Sequence, residues 1–464
     1  MRKIARYIIL FSLAGSMLAC ESYTEGYSTD PINPTEVDVL PKLLTAAQVS
    51  QIVTLEGEMA RNAGIWSRSF TGVQSQYGAL EGYTNVTAST YDSPWGNIYS
   101  NSLINIKLLK NGAVKQRDPN ILGIAQVMEA QLMGTTTALY GDIPFSEAGQ
   151  FPTIQNPKFN AQADVYGGVQ LLLDSAIANL KLPGPGGIDK QDIFYEGDLE
   201  KWIRAAYSLK ARFYLHIADY AKVITNAQLG ISNPAGNMLA THGTANGGDR
   251  NLYYDFQERA RSGYMNANNS YTYRLLDPAS SDYRGNSKTN EQERLNYFFV
   301  ARDRQGNKNL NTSASGFFGT STSFPLVTFE ETTLTLAEAL VRTDDLPGAL
   351  DALNALRDVL DKTFTEGNYD PYVLADFGPG GIVSPELSQQ QALLKEIVEE
   401  RYVTLTGQIE VFNDVRRTKN LLGITPSTGN QLPQRFLYSQ NELNSNPNVP
   451  KPLPGLFEPT AVNK

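Results

Sequence analysis

The chain has 464 residues, of which 41% are hydrophobic and 19% charged; this composition excludes disorder and allows a large buried core. The formal net charge is −9 and no basic stripe is visible, which excludes a nucleic-acid binder, because phosphate contact needs clustered Lys and Arg. Two histidines and one cysteine exclude a zinc cluster of the usual composition and any intrachain disulfide.

The amino terminus is basic at Arg2, Lys3 and Arg6, and thirteen mostly apolar residues, YIILFSLAGSMLA, follow. That is signal-peptide architecture, too short for a comfortable transmembrane helix. It ends at Cys20, the sole cysteine. Met17, Leu18 and Ala19 fill the three places before it in a pattern that resembles a bacterial lipoprotein box, with Met17 where Leu is usual. The resemblance implies cleavage after residue 19, acylation of Cys20 and a stable membrane anchor, since each buried methylene contributes roughly 0.8 kcal/mol. The mature chain then has no free thiol, so a cysteine nucleophile is excluded as well. Residues 20–42, polar and carrying Pro31, Pro34 and Pro41, read as a tether. No later apolar run reaches eighteen residues.

The remainder, 43–464, is expected to be one mainly α-helical domain. The opening PTEVDVLPKLLTAAQVSQIVTLEGEMARNAG reads as helical. WGNIYSNSLINIKLLKNG places Ile98, Leu103, Ile106 and Leu109 at helical spacing and predicts a stop at Gly112. NILGIAQVMEAQLMGTTTALYGD predicts a long apolar helix, and AQADVYGGVQLLLDSAIANL another, ended by a Pro/Gly cluster. GDLEKWIRAAYSLKARFYLHIADYAKVI predicts the longest helix, with Asp198 as N-cap. ETTLTLAEALVRTDDLPGALDALNALRDVL predicts two helices with a tight turn. Small residues at Ala337, Ala339, Ala349, Ala352 and Ala355 let that pair approach as in a tetratricopeptide hairpin. SPELSQQQALLKEIVEERYVTLTGQIEVFNDVRRTKNL closes the helical set. Residues 228–325 and 420–464 lack helical periodicity and are rich in Gly, Asn, Ser, Pro and Tyr. The longer of them is expected to carry the ligand face, because long irregular segments that keep aromatics are usually functional.

No nucleophile elbow and no phosphate loop is present. GPGGI occurs at 184–188 and 378–382 and reads as turn chemistry. His216 lies among Leu215 and Ile217 and reads as a packed core histidine. Glu399, Glu400 and Asp414, near Arg416 and Arg417, read as structural ion pairs.

These pieces, in this order, resemble the SusD/RagB family, in the branch described as starch-binding and outer-membrane-associating. The resemblance is carried by DPINPTEVDVLPKLL, YGDIPFSEA, DVYGGVQLLLDSAIANL, GDLEKWIRAAYSLKARFYLHIADY, the LTLAEALVR…DLPGALDALNALR hairpin, VEERYVTLTGQIEVFNDVRRTKNL and PQRFLYSQNELNSNPN. It implies an all-α fold of four tetratricopeptide-like helical pairs packed against a loop-rich, ligand-facing half. It also implies a lipid-anchored, surface-exposed outer-membrane protein without catalysis or cofactor. Its partners would be oligo- or polysaccharide, with glucans favoured, and a SusC-like TonB-dependent transporter that it covers as a lid. The same architecture binding a peptide or other non-sugar nutrient is the alternative. A surface glycosidase would need two carboxylates about 5–9.5 Å apart across a scissile bond, and a bare helical scaffold would leave the aromatic insertion idle.

Sugars offer hydroxyls and apolar C–H faces, so loop aromatics beside amides are the candidate binders. One group is Trp66, Gln74, Gln76, Tyr77 and Tyr83. The other is Tyr264, Asn268, Asn269, Tyr271 and Tyr273, joined by Phe317 and Phe318. Trp95 and Trp202 read as packing residues. No metal ligand and no catalytic residue is expected.

Overall fold

The computed structural model describes residues 40–246, 248–300 and 303–464. Cys20, the signal segment and nearly all of the tether lie outside the described residues. The longer helices are α1 (Leu40–Glu56), α2 (Glu58–Trp66), α3 (Ser75–Glu81), α4 (Ile104–Gln116), α5 (Pro119–Tyr140), α6 (Gln162–Leu180), α7 (Leu199–His216), α8 (Tyr220–Ala227), α9 (Phe329–Arg342), α10 (Leu346–Thr363), α11 (Gln389–Thr404) and α12 (Glu410–Arg417). The described strands are two to four residues long and pair two by two, all antiparallel. The fold is therefore all-α. Residues 40–42, read as tether, belong instead to α1, where Leu40 is buried.

Four helical pairs form the repeat half: α1 with α4, α5 with α6, α7 with α8, and α9 with α10. Successive pairs meet through α4–α5, α6–α7 and α8–α9, and α11 lies against α9. Local chemistry sets most boundaries. The Asp118 carboxylate accepts from the Asn120 and Ile121 amides at 3.0 and 3.1 Å, with Pro119 in the first turn. Asp198 caps α7 in the same way, at 3.1 Å to the Glu200 and Lys201 amides. Such caps contribute about 1 kcal/mol each.

Two boundaries depart from the sequence pattern. The segment expected to be the longest helix is broken between α7 and α8. Ala218 takes a left-handed φ of 57° and Asp219 caps a new helix through the Lys222 amide. The longest helix is instead α5, with 22 residues. At the other departure, α4 runs through Gly112, which is buried, and ends at Arg117 with φ 56°. Burial against neighbouring helices outweighs a glycine penalty of about 1 kcal/mol. Close approach has a visible cause at Gly134 of α5, where an added Cβ would lie 2.3 Å from the Phe213 ring of α7.

Buried ion pairs join the helical half to the segments that follow it. Arg401 of α11 binds Asp414 of α12 at 3.0 Å and the Thr335 hydroxyl of α9 at 2.7 Å. Glu338 of α9 receives Arg342 at 2.8 Å and Arg417 at 2.6 Å. Glu400 receives Arg294 at 2.8 Å and Arg284 at 2.7 Å, and Glu399 receives Arg284 at 3.1 Å. Asp414 pairs with Arg401 and Arg417, arginines near it in sequence, whereas Glu399 and Glu400 pair with the distant Arg284 and Arg294. His216 is a core histidine, within 3.0 Å of the Tyr166 hydroxyl and 2.9 Å of Glu410.

Burial pushes the Glu338 carboxyl up, but Arg417, Arg342 and Arg401 together hold it down at about 2. A carboxyl depressed on folding stabilises the fold above its unfolded value near 4.5, and that contribution is lost as pH falls toward 2. Glu338→Gln should lower unfolding free energy at pH 7 by about 3–5 kcal/mol, because it strips the buried arginines of their counter-charge. It should also flatten the loss seen in the unsubstituted protein between pH 4.5 and 2. Urea denaturation across that range checks both.

Candidate ligand-binding cleft

The two loop stretches singled out by composition come together in space. Thr71–Gly72 pairs antiparallel with Met265–Asn266. Around this pair, the Val73 amide donates to the Tyr264 carbonyl at 2.8 Å and the Tyr271 amide to the Arg68 carbonyl at 2.7 Å. The Ser270 hydroxyl donates to the Ser69 carbonyl at 2.6 Å, and the Asn269 amide to the Thr71 hydroxyl at 2.9 Å. Arg68, ion-paired with Glu81, reaches the Asn269 carbonyl at 3.3 Å. The Glu81 carboxylate also accepts from the Gly72 amide at 3.0 Å.

Beside this seam opens a cleft of about 460 Å³. Val73, Gln74, Gln257, Glu258, Met265 and Asn266 line it together with Asp303, Asn307, Asn309 and Thr312, and Val300 and Leu310 add apolar area. The lining is mainly amides, hydroxyls and carboxylates, groups that match a polyol. Gln257 is 9% exposed; its Nε2 donates to the Met265 carbonyl at 2.9 Å, and its Oε1 is buried with no partner.

Asp303 shapes the far wall. Its carboxylate accepts from the Gln305 and Asn307 amides, both at 2.8 Å, and from the Asn309 side chain at 2.9 Å. These donors, the Asn307 amide foremost, hold its carboxyl below the ordinary carboxylate value. Gly306, at φ 84°, supplies the turn. Asn268 ties this loop to the seam: its side chain donates to Asn307 Oδ1 at 3.1 Å and accepts from the Lys308 amide at 2.8 Å.

Most of the expected aromatic platform is not at the surface. Trp66 is 0% exposed; its indole N–H donates to the Leu80 carbonyl at 3.1 Å and its ring meets Phe436 edge-on at 5.2 Å. Tyr77 is buried with its hydroxyl bonded to Arg61 at 2.8 Å, and its ring lies 4.8 Å from Phe256. Tyr271 packs edge-on to Tyr402 and Tyr273 against Phe299. Phe317 and Phe318 pack on each other at 4.9 Å. These six rings are corrected from ligand platform to core. Trp66 and Tyr77 lie on α2 and α3, and Tyr271 and Tyr273 on a short helix, Tyr271–Leu276, so their rings point inward from helical faces; only Phe317 and Phe318 lie in irregular chain. Trp95 and Trp202 are buried, as packing requires.

The remaining candidates are accessible. Gln74, Gln76, Asn268 and Asn269 are exposed, and Tyr83 and Tyr264 are half-buried. Tyr264 sits between two lining residues, Gly263 and Met265, with its ring edge-on to Tyr77 at 6.4 Å. Tyr83 lies apart, against Phe457 at 5.9 Å. Gln257, Glu258, Asp303, Asn307, Asn309 and Thr312 were not anticipated. The turn-forming run DRQGNKN was the available signal for part of them. A second cleft of about 320 Å³ lies at the end of α12, lined by Lys419, Asn420, Asn430 and Gln431 among others. Among the described residues no group of three or more His, Cys, Asp or Glu side chains is placed to hold a metal, and no helix is long and apolar enough to cross a membrane.

A row of helical hairpins joined to an irregular half with a polar cleft defines a helical-repeat protein with a loop-built binding face. Solved structures share it. A SusD/RagB family protein from Bacteroides thetaiotaomicron superimposes with a TM-score of 0.66 at 22% identity, covering 88% of this chain and 95% of its own. A SusD homologue from Bacteroides uniformis gives 0.68 at 18%, covering 91% and 99%. A chitin-binding SusD homologue from Flavobacterium johnsoniae gives 0.67 at 14%, covering 91% and 98%. At these identities the likeness establishes the fold. The chain belongs to the SusD-like family described as starch-binding and associating with the outer membrane, whose sequence profile matches residues 31–347. No sequence among the curated proteins matches the chain.

Trp66→Ala should lower unfolding free energy by about 3–5 kcal/mol, as for other buried aromatics, while the fraction that stays folded keeps its ligand affinity; thermal melting and titration below the transition separate the two. Asp303→Ala should leave the melting temperature within a degree or two (roughly the effect of an exposed substitution) yet speed amide hydrogen exchange at Gln305 and Asn307, read by mass spectrometry.

Proposed function

We propose that this protein is a surface lipoprotein that captures oligo- or polysaccharide in the cleft lined by Val73, Gln74, residues 257–266 and the Asp303 loop. In this reading Cys20 carries the lipid and holds the chain at the outer membrane. The captured glycan passes to a partner TonB-dependent transporter, over which the protein sits as a lid. Residues 43–464 act as the binding domain, with no chemistry of their own. The observation that carries the reading is the cleft itself: a concavity lined by amides and hydroxyls beside the seam. Family membership and the chitin-binding homologue support a glycan over other cargo.

In this arrangement Tyr264 offers a half-exposed ring to a sugar C–H face. Gln74, Asn266 and Asn309 meet hydroxyls, and Gln76 and Asn268 lie at the rim. The ordered Asp303 loop presets the far wall, which lowers the entropic cost of binding.

Calorimetric titration against α- and β-glucans, mannans and xylans tests this. One class of neutral glycan should give heat, and Gln74→Ala should weaken it by about fivefold to tenfold, the loss expected for one hydrogen bond to an accessible lining amide. Heat with oligopeptides and none with any glycan would replace the sugar reading with the peptide one.

A further inference from the structure

The concavity of about 320 Å³ at the end of α12 is built from residues 415–434 with Pro459 and Asn463, and the glycan reading has given it no role. Its exposed polar lining is Lys419, Asn430 and Gln431. The Lys419 ammonium and the Asn430 side chain have no bonded partner among the described residues. Arg416 also lines it, but its guanidinium is given to the Phe412, Gln434 and Ala138 carbonyls and to Asn413, so it serves as wall. No carboxylate lines the cleft; Glu458 and Lys464 are the charged neighbours in sequence of Pro459 and Asn463.

An aromatic pair borders this cleft. Phe457 is 38% exposed, and its carbonyl accepts from the Gln431 side chain at 3.4 Å. Its ring meets that of Tyr83 edge-on at 5.9 Å. Tyr83 is half-buried, and its hydroxyl accepts at 3.4 Å from the amide of Ser427, the residue after the lining Pro426. Its backbone stands at φ 54°, a left-handed conformation that a bulky residue adopts only where its surroundings impose it. Two accessible rings set at an angle beside unpartnered amide and ammonium groups meet both the C–H faces and the hydroxyls of a sugar.

Helix α3 runs between the two clefts. Gln74, which lines the first, immediately precedes it, and Tyr83 follows its last residue by two positions. Its seven residues span roughly 10 Å, and Ser75 and Gln76 are exposed along it, with Ala79 half-buried. Resting on the glycan-binding reading, we infer that the cleft at the end of α12 is a second carbohydrate subsite, which holds a further stretch of the same glycan chain that fills the first. Phe457 and Tyr83 cover sugar C–H faces there, and Lys419, Asn430 and Gln431 bond hydroxyls. Occupying both subsites with one chain makes the second contact intramolecular, so affinity rises with chain length once the chain spans α3.

The test uses the full chain with a trisaccharide and a decasaccharide of the glycan class that gives heat in the calorimetric panel. Phe457→Ala and Asn430→Ala alter exposed side chains and should leave the fold intact, which thermal melting checks. Each should weaken the decasaccharide by about fivefold to tenfold, the size of one lost subsite contact, and leave the trisaccharide unchanged. Gln74→Ala, in the first cleft, should weaken both lengths. Amide hydrogen exchange at residues 426–434 should slow with the decasaccharide and not with the trisaccharide. Decasaccharide affinity that neither Phe457→Ala nor Asn430→Ala changes, with no added protection at 426–434, overturns the second subsite. The glycan reading survives that result, because Gln74→Ala still weakens binding. Silence with both lengths of every glycan class would sink the glycan reading, and this inference with it.

Discussion

The short antiparallel seam between residues 66–73 and 264–271 is the constraint on which the binding half depends. Only two residues on each side pair as strand, Thr71–Gly72 with Met265–Asn266. The flanking bonds from Ser69, Arg68 and Val73 extend that contact over about eight residues. The seam joins parts of the chain some 200 positions apart, so the loss of chain entropy on closing it is large. It holds because what lies beneath is dry and crowded: Trp66, Phe70, Tyr77, Tyr253 and Phe318 are all nearly or fully buried there. The Tyr402 hydroxyl also reaches the Ser67 carbonyl at 2.7 Å, which ties the seam to α11 of the repeat half.

From this contact the division of labour follows. The helical pairs bury α5 on nearly all sides and provide a rigid wall. The irregular half is pinned to that wall by aromatic packing and by buried ion pairs, above all the Arg284 and Arg294 cluster on Glu291, Glu396 and Glu400. With its interior fixed, the surface of the irregular half can be built from turn-forming Asp, Asn and Gly. The Asp303 loop is such a surface: its carboxylate accepts from two backbone amides and two side-chain amides within seven residues. A cleft lined by preset amides would lose little freedom on binding a ligand.

The distribution of aromatics shows how composition can mislead about a site. Tyr and Trp in a Gly- and Asn-rich segment fit a carbohydrate platform equally well as a small core. In Tyr271, Tyr273, Phe317 and Phe318 the core use prevails: with Met265, Leu275, Leu276, Leu295 and Leu310 they make up the buried apolar area of this segment. The polar residues were the better guide. Gln74 lines the cleft, Asn268 braces its wall, and Gln257 and Asn309 were missed because an isolated amide has no periodicity to mark it.

Sequence alone determined what depends on neighbours within a few turns. The helical hairpins follow from apolar spacing and small residues, the caps at Asp118 and Asp198 from their side chains, and the lipoprotein-box resemblance from residues 17–20. The order of these pieces sufficed for the family. Only the tertiary structure decided which aromatic side chains face inward, that α7 ends at His216, and that residues 73–74, 257–266, Val300 and 303–312 line one cleft. Those outcomes depend on contacts between residues tens to hundreds of positions apart, where burial and mutual hydrogen bonding, rather than local preference, set the lowest free energy.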